Sequence, residues 1–293
     1  MTLLALLVAL WAVKEAYVPD YFADCQWGAR YRRWIERRSV MESVHPALGY
    51  GLYVLPPMLA GWLLGTWLEG WLFAVIGALL SVVLLAGCLD FRKVEATLVP
   101  FLKRWRNKEW QSAYEHGSQS FDYGRMVSPA ELLNQTVTQY WVRVNQTLFA
   151  PLFWFGIFGL GGLALYLFTM LLLRNGNGNG AGHGDQAGWK KIGIEFLYAL
   201  DGVPARAVAM TIAALCFNGK AFAVAVRRFR ATDREAEIVL KLAVKMGLDF
   251  RDLPGDEEEL ASEGIRRIHS AQDLRSNVLI FWIVVIAIIT IVS

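Results

Sequence analysis

The sequence predicts an all-α, polytopic integral membrane protein, and three features of the chain support this fold class. The hydrophobic content is 55% and the mean hydropathy is +0.35, which is more apolar than an ordinary soluble domain. Apolar runs of about 20 residues recur, and each is long enough to cross a bilayer as a helix. The charged residues, 19% of the total, fall mainly between these runs. We therefore expect one membrane domain, residues 1–293, with helical loops in water.

Six apolar runs are predicted to span the membrane. The first lacks the basic region and the small-residue cleavage site of a secretory signal, so we interpret it as a retained span. The second and third form a predicted hairpin, because only Glu69 and Gly70 separate them. The fifth contains a proline, which leaves open whether it is one helix or two half-helices. The predicted spans are residues 1–18, 47–68, 71–89, 148–173, 192–216 and 278–292.

Lys and Arg residues are distributed unevenly between the loops, and this distribution predicts the orientation of the chain. The segments 19–46, 90–147 and 217–277 contain five, eight and eleven of the 29 Lys and Arg residues, whereas the 174–191 loop contains three. Cytoplasmic loops are rich in basic residues, so we place these three segments, which we expect to be helical, in the cytoplasm. Six spans then put both termini and the flexible, glycine-rich 174–191 loop on the far side of the membrane, which is the periplasm if the membrane is a bacterial inner membrane.

Net charge and cysteine usage exclude several function classes. The formal net charge is +3, and basic residues beside the spans account for it, so nucleic-acid binding has no support and contact with anionic lipid is sufficient. The three cysteines are scattered and form no disulfide framework or Cys-x-x-Cys motif, so we predict no metal site and no evident cofactor. Five arginines between Arg30 and Arg38 are interleaved with aromatic residues. They either form a helix on the headgroup surface or only fix the orientation of the chain.

The helix that precedes the fourth span has a clear start signal. Ser128, Pro129 and Glu131 form a capping box with a proline at the first helical position. The apolar pattern continues into the fourth span, so we expect one unbroken helix that brings Arg143 and Asn145 to the bilayer surface. Between the fifth and sixth spans, two further helical patterns flank an acidic turn, DLPGDEEE.

The fifth span contains an acid and a base inside an apolar segment, and it is our candidate site. Asp201 and Arg206 would each destabilise an inserted helix by about 2.5 to 3.5 kcal/mol at the bilayer centre. Ionisable residues at such positions are generally functional. The alternative is structural: the two side chains form an ion pair, or Arg206 extends to the interface.

Pro204 predicts an interruption of the fifth span. Proline has no N–H to bond to the carbonyl of Leu200, and its ring clashes with that carbonyl. Asp201 is a good N-cap residue, so a new helix would begin with Gly202, Val203 and Pro204 in its first turn. A backbone break at membrane depth is tolerated beside protein or a water-filled cavity, which favours a polar pocket at this level.

Two stretches carry a family resemblance: APLFW at 150–154, after an Asn-containing helix end, and Asp-x-x-Pro-x-Arg at 201–206. With them the chain resembles the AmpE family of inner-membrane proteins, which is related to the CobD/CbiB membrane proteins of cobalamin biosynthesis. The AmpE resemblance implies a modulator of β-lactamase induction, linked to a cytoplasmic amidase that recycles cell-wall fragments. The CobD/CbiB resemblance implies a ligase that uses ATP to join an amino-alcohol phosphate to a corrinoid carboxylate. The carboxylates expected of that branch before and within the fourth span are missing from this sequence.

The leading prediction is an inner-membrane regulatory protein that binds an anionic cell-envelope metabolite or nucleotide in a polar pocket open to the cytoplasm. Arg206 would contact the anion, and Asp201 would orient Arg206 or cap a helix. Pro204, Asn145 and Arg143 complete the candidate ligand-binding residues. One alternative is a CobD/CbiB-like ligase with Asp201, Arg206 and Asn145 in its site and a magnesium nucleotide as cofactor. The other is a small-molecule transporter. No catalytic residue is predicted, and the sequence does not define an oligomeric state.

Overall fold

The computed structural model describes residues 30–31, 33–35, 37, 45–67, 91–124, 128–174, 188–216, 219, 223, 236–248 and 256–292. Over these residues the fold is helical, with one short π-helical segment and no β-strand. In chain order the helices are α1 (Pro46–Trp67), α2 (Phe91–Arg106), α3 (Trp110–Gly117), α4 (Pro129–Val144), α5 (Ala150–Arg174), α6 (Gly188–Leu215), α7 (Ala236–Gly247) and α8 (Glu257–Val292).

Four helical stretches within the described part of the chain are long and apolar enough to cross a membrane. They are Pro46–Leu64, Pro129–Leu171, Gly188–Leu215 and Glu257–Ile288. The protein is therefore an α-helical membrane bundle, as the hydropathy predicts. These stretches correspond to the second, fourth, fifth and sixth predicted spans. The predicted spans 1–18 and 71–89 lie outside the described residues.

Contacts between Cα atoms divide the chain into two compact units. Unit 1 consists of Met1–Asp90 and Ala150–Asp201, and unit 2 consists of Phe91–Phe149 and Gly202–Ser293. Helix α6 contributes its first half to unit 1 and its second half to unit 2. The interpretation of residues 1–293 as one membrane domain stays a prediction.

The predicted start of α4 is confirmed. The Ser128 hydroxyl accepts a hydrogen bond of 3.2 Å from the Glu131 N–H, and Pro129 lies at the first position of the helix. The Glu131 carboxylate accepts a bond of 3.3 Å from the Gln135 side chain one turn later. These contacts satisfy one of the N–H groups that the first turn leaves without a helical partner.

The helix continues from α4 into α5 through a π-helical segment, Asn145–Phe149. Pro151 lies two residues after this segment, and a proline ring clashes with the carbonyl of the preceding helical turn. The wider turn of a π-helix relieves such a clash without ending the helix. The expected continuity of the helix across the start of the fourth span is thus confirmed.

Helix α5 is not straight, because the chain folds back at Gly159. Gly159 has φ of 58° and ψ of −144°, a backbone conformation that is open almost only to glycine. A Cβ atom at Gly162 would overlap the carbonyl oxygen of Trp154. On a straight helix these two positions would be about 12 Å apart along the axis. Helix α5 therefore consists of two arms, residues 150–158 and 160–174, that lie side by side.

The fourth predicted span, residues 148–173, is interrupted at Gly159. The second arm is about 22 Å long, which is shorter than the hydrocarbon core of roughly 30 Å. The placement of the 174–191 loop on the periplasmic side assumed that this span crosses completely. The physical reason for the difference is local: one glycine with positive φ reverses the chain without changing the apolar composition that predicted the span.

In unit 1, α1 packs against the second arm of α5, and small residues allow the two backbones to approach. A Cβ atom at Gly61 would lie 2.9 Å from the carbonyl oxygen of Leu160, and Gly161 packs against α1 in a similar way. Further along, the hydroxyls of Tyr50 and Thr169 share a hydrogen bond of 2.8 Å. Glycines of the second and fourth predicted spans thus serve in close helix packing.

In unit 2, α2 packs across the charged half of α8. Its apolar face buries Leu98, Phe101 and Trp105. The Trp105 indole N–H donates a hydrogen bond of 3.2 Å to the carbonyl of Ala261, and Gly264 leaves the space that the indole ring occupies. A larger residue at position 264 would displace the indole ring.

Helix α8 joins two elements that the sequence predicted separately, the helix that starts at Glu257 and the sixth span, residues 278–292. Its first turn is capped by Asp256, whose carboxylate accepts bonds of 3.2 Å from the N–H groups of Glu258 and Glu259. The single helix is about 54 Å long and passes from a charged half to an apolar half.

Candidate functional site

Asp201 lies half-buried on α6 and accepts a hydrogen bond from a tyrosine. The Tyr166 hydroxyl, on the second arm of α5, donates to Asp201 Oδ1 over 2.6 Å. Tyr166 is 1% exposed and packs with the apolar residues Ala150, Leu197 and Leu200 of unit 1. A phenol bonded to a carboxylate is a charge-assisted hydrogen bond, which contributes about 1.5 to 3 kcal/mol. Tyr166 therefore helps to hold a carboxylate among apolar side chains.

Of the two alternatives left open for the fifth span, the structure shows the single helix: α6 continues through Pro204. The carbonyl of Leu200 loses its usual helical donor, since proline at position 204 has no N–H. The indole N–H of Trp154 donates a hydrogen bond of 3.0 Å to this carbonyl instead. A buried carbonyl without a donor would destabilise the fold by about 1 to 3 kcal/mol, so this bond lets the helix continue through the proline.

The reversal at Gly159 brings both donors to α6. Trp154 and Tyr166 would be about 18 Å apart along a straight helix, yet they bond to the consecutive residues Leu200 and Asp201. Sequence reasoning identified Asp201 and Pro204 but neither donor. A proline inside an apolar helix signals that some side chain must replace its N–H. No pattern in the sequence indicated that Trp154 is that side chain.

The other predicted site residues belong to unit 2. Arg206 is 6% exposed on the second half of α6, and Pro204 is also buried. Asn145 is 3% exposed in the π-helical segment, and Arg143 is half-buried at the end of α4. The guanidinium of an arginine stays protonated in proteins, so its burial requires acceptors or an anion around it.

Unit 2 contains a charged contact that the sequence analysis missed. The Arg275 guanidinium of α8 donates to the Glu95 carboxylate of α2, and their side chains are 14% and 32% exposed. Arg275 also lies beside the phenol of Tyr140, which is 1% exposed. Glu95 and Arg275 are separated by 180 residues, so no local spacing could have paired them. The contact ties α2 and α4 to α8.

Unit 2 also contains an open cleft of about 640 Å³, which we name the interfacial cleft. It lies between the C-terminal ends of α6 and α7 and the middle of α8, and none of the predicted site residues lines it. Its polar lining side chains are Cys216, Ser270, Asp273 and Asn277.

The fold and these residues define an α-helical membrane protein with ionisable side chains inside apolar helices. In the described part of the chain, no group of three His, Cys, Asp or Glu side chains is arranged to hold a metal ion. No protein-family model matches the chain, and neither the curated proteins nor the solved structures yield a match. The resemblance to the AmpE and CobD/CbiB proteins therefore rests on the residues at 150–154 and 201–206.

Proposed function

We propose that this membrane protein is an AmpE-like regulatory protein that binds an anionic cell-envelope metabolite or nucleotide. The observation that carries the proposal is the burial of Arg206, which is 6% exposed in a helix that is apolar enough to cross a membrane. A guanidinium presents five N–H donors in one plane, and this arrangement suits phosphate and carboxylate groups. The low dielectric constant around a buried cation strengthens its attraction to an anion.

Two further residues of unit 2 support an anion site. The Asn145 side chain is 3% exposed in a π-helical segment, and such segments recur at functional sites. Arg143 lies two residues before it, half-buried at the end of α4, and is a further cation of the same unit. In this proposal Asp201 stabilises α6 through Tyr166, and the anion is contacted by the basic and amide side chains.

The resemblance supplies the biological setting of the proposal. The protein would lie in the inner membrane of a bacterium and would modulate β-lactamase induction together with the cytoplasmic amidase that recycles cell-wall fragments. In the native host, Arg206→Ala is expected to change the antibiotic-induced output of β-lactamase at an unchanged level of the protein. An unchanged output at a normal protein level would contradict the proposed role.

Native mass spectrometry of the protein purified in detergent tests the site directly. We expect a bound phosphate-bearing or carboxylate-bearing species in the wild type and its loss in Arg206→Gln. The matched control is Arg267→Gln, because Arg267 is also buried in unit 2, at 7% exposure, and forms its ion pair with Glu263 of the same helix. Loss of the species in both variants would indicate a general effect on folding, and its retention in Arg206→Gln would refute the site.

Transport of a small molecule is the second candidate, and the reversal of the chain at Gly159 favours it. Many transporters bind their substrate where membrane helices are discontinuous, beside ionisable side chains. Here the two arms of α5 meet α6 at Asp201. Uptake of muropeptides into proteoliposomes should fall in Asp201→Asn and persist in Glu195→Gln, a control at an exposed acid of the same helix. Absence of uptake by the wild type would eliminate this candidate.

A further inference from the structure

The interfacial cleft lies where α8 changes from a charged helix to an apolar one. Arg275 is the last charged residue of α8, and residues 278–292 contain none. The cleft reaches from Ser270 on the charged side to Ile280 and Phe281 on the apolar side. Since a bilayer has the same order from water to hydrocarbon, this part of α8 is expected to lie at the level of the lipid headgroups.

The polar side chains of the cleft share one face of α8 and follow a chemical order. Ser270, Asp273 and Asn277 are separated by three and four residues, a spacing that puts them on the same side of a helix. Asp273 and Asn277 are about 6 Å apart along the helix axis. From the aqueous side, the face therefore presents a hydroxyl, a carboxylate, an amide and then apolar side chains.

We propose that the interfacial cleft binds a phospholipid whose headgroup carries a primary amine. The ammonium group bonds to the Asp273 carboxylate, the Asn277 amide donates to the phosphate, and the acyl chains lie over Ile280 and Phe281. The order of these groups along α8 is the order of amine, phosphate and chains in the lipid. The cleft volume of about 640 Å³ is within the range of small-ligand sites, and the chains extend beyond it into the bilayer.

The charges of the cleft select this class of lipid. Among the described residues that line it, Asp273 alone carries a charge, so a lipid with a net negative headgroup and no amine would be repelled. The Ser270 hydroxyl already donates to the carbonyl of Arg266 over 2.9 Å, which leaves its oxygen as an acceptor. A primary ammonium has three N–H donors for these acceptors, whereas a quaternary ammonium has none.

Cys216 provides the test, because it lines the same cleft and is half-buried. The full-length protein with Cys25→Ala and Cys88→Ala would be placed in phosphatidylcholine nanodiscs, with or without phosphatidylethanolamine. The measured quantity is the alkylation rate of Cys216 by a maleimide at one fixed pH. We expect phosphatidylethanolamine to slow alkylation by about tenfold, the factor that one charge-assisted hydrogen bond supplies.

Variants identify the contact behind the protection. Asp273→Asn and Asn277→Asp should each abolish the slowing of Cys216 alkylation by phosphatidylethanolamine. The first removes the anion that binds the ammonium group. The second places a negative charge beside the phosphate. Glu258→Gln, at an exposed acid of the same helix outside the cleft, should retain it. Unfolding midpoints of the variants show that each is folded.

Three results would overturn the proposal. The first is equal alkylation rates with and without phosphatidylethanolamine. The second is full protection by phosphatidylglycerol, which carries no amine. The third is protection by soluble phosphoethanolamine at the level given by the lipid, since the cleft would then bind headgroups from solution and not a membrane lipid.

Discussion

Trp154 and Pro204 show how one side chain allows a proline to remain inside an apolar helix. The indole N–H of Trp154 takes the place of the missing backbone N–H at the carbonyl of Leu200. The need for such a donor is readable from the sequence, because any proline within a helix releases one carbonyl. The identity of the donor is not readable, since it depends on where the chain reverses.

This exchange predicts a coupling between positions 154 and 204. Trp154→Phe should lower the free energy of unfolding by about 1 to 3 kcal/mol, because it leaves a buried carbonyl without a donor. In a Pro204→Ala background, the restored N–H of residue 204 should satisfy that carbonyl. Trp154→Phe should then lower the free energy of unfolding by about 1 kcal/mol less than it does in the wild type. The loss of ring volume is common to both backgrounds and cancels. Equal costs, measured by denaturant unfolding in detergent, would contradict this account.

Tyr123 predicts a pH dependence of stability in unit 2. Its hydroxyl shares a hydrogen bond of 2.9 Å with Thr136, its ring stacks on Tyr114, and burial raises its pKa above the ordinary value of 10.0. Above about pH 10 the unfolded chain loses the phenolic proton while the folded chain keeps it, so stability must fall as the pH rises. Tyr123→Phe should therefore lose less stability than the wild type between about pH 9 and about pH 11. Identical slopes in unfolding titrations would refute this.

The N-terminal ends of helices could be predicted from the sequence, but the reversal within α5 could not. Ser128 and Asp256 cap their helices as their side chains and neighbours indicate. Gly159 is one of several glycines in the fourth predicted span, and glycines in membrane spans are usually assigned to close helix packing. That assignment fits Gly161, but the positive φ of Gly159 is a property of the folded backbone that composition does not reveal.

Alanine substitutions at two glycines of α5 test the reversal at Gly159, because they should change the stability of the protein in opposite directions. A Cβ atom at Gly159 or at Gly156 would meet nothing within 4 Å, so neither alanine variant is affected by a clash. Gly159→Ala should destabilise the protein by about 1 to 3 kcal/mol, because alanine is strained at this φ and ψ. Gly156→Ala should be neutral or stabilise by up to about 1 kcal/mol, since alanine favours a helix. Equal effects on the unfolding midpoint would show that the chain does not reverse at Gly159.

The class of the whole molecule followed from composition, because apolar runs separated by charged loops have few other stable arrangements. The orientation of the chain is still a prediction, and it rests on the basic residues of segments 90–147 and 217–277. The division into two units was not foreseen. Two of its boundaries, after Phe149 and after Asp201, fall inside continuous helices, where the sequence has no linker to mark them.

Cysteine labelling tests the orientation. Gln111→Cys on α3 and Ser262→Cys on α8 are exposed positions in the two basic segments, and they would be studied with the native cysteines replaced by alanine. Both should react with a membrane-impermeant maleimide only after the inner membrane is permeabilised. Reaction of either cysteine in intact spheroplasts would place that segment outside the cytoplasm and would contradict the prediction.

The length of α8 has a mechanical consequence for unit 2. Trp105 holds this helix at Ala261, Glu95 holds it at Arg275, and Trp282 donates a hydrogen bond of 3.2 Å to Thr211 near the other end. The outermost of these attachments are about 31 Å apart along a helix with no internal proline. Such a helix is stiff along its axis. We therefore expect a displacement of α2 at the charged end of α8 to move Thr211 of α6 as well.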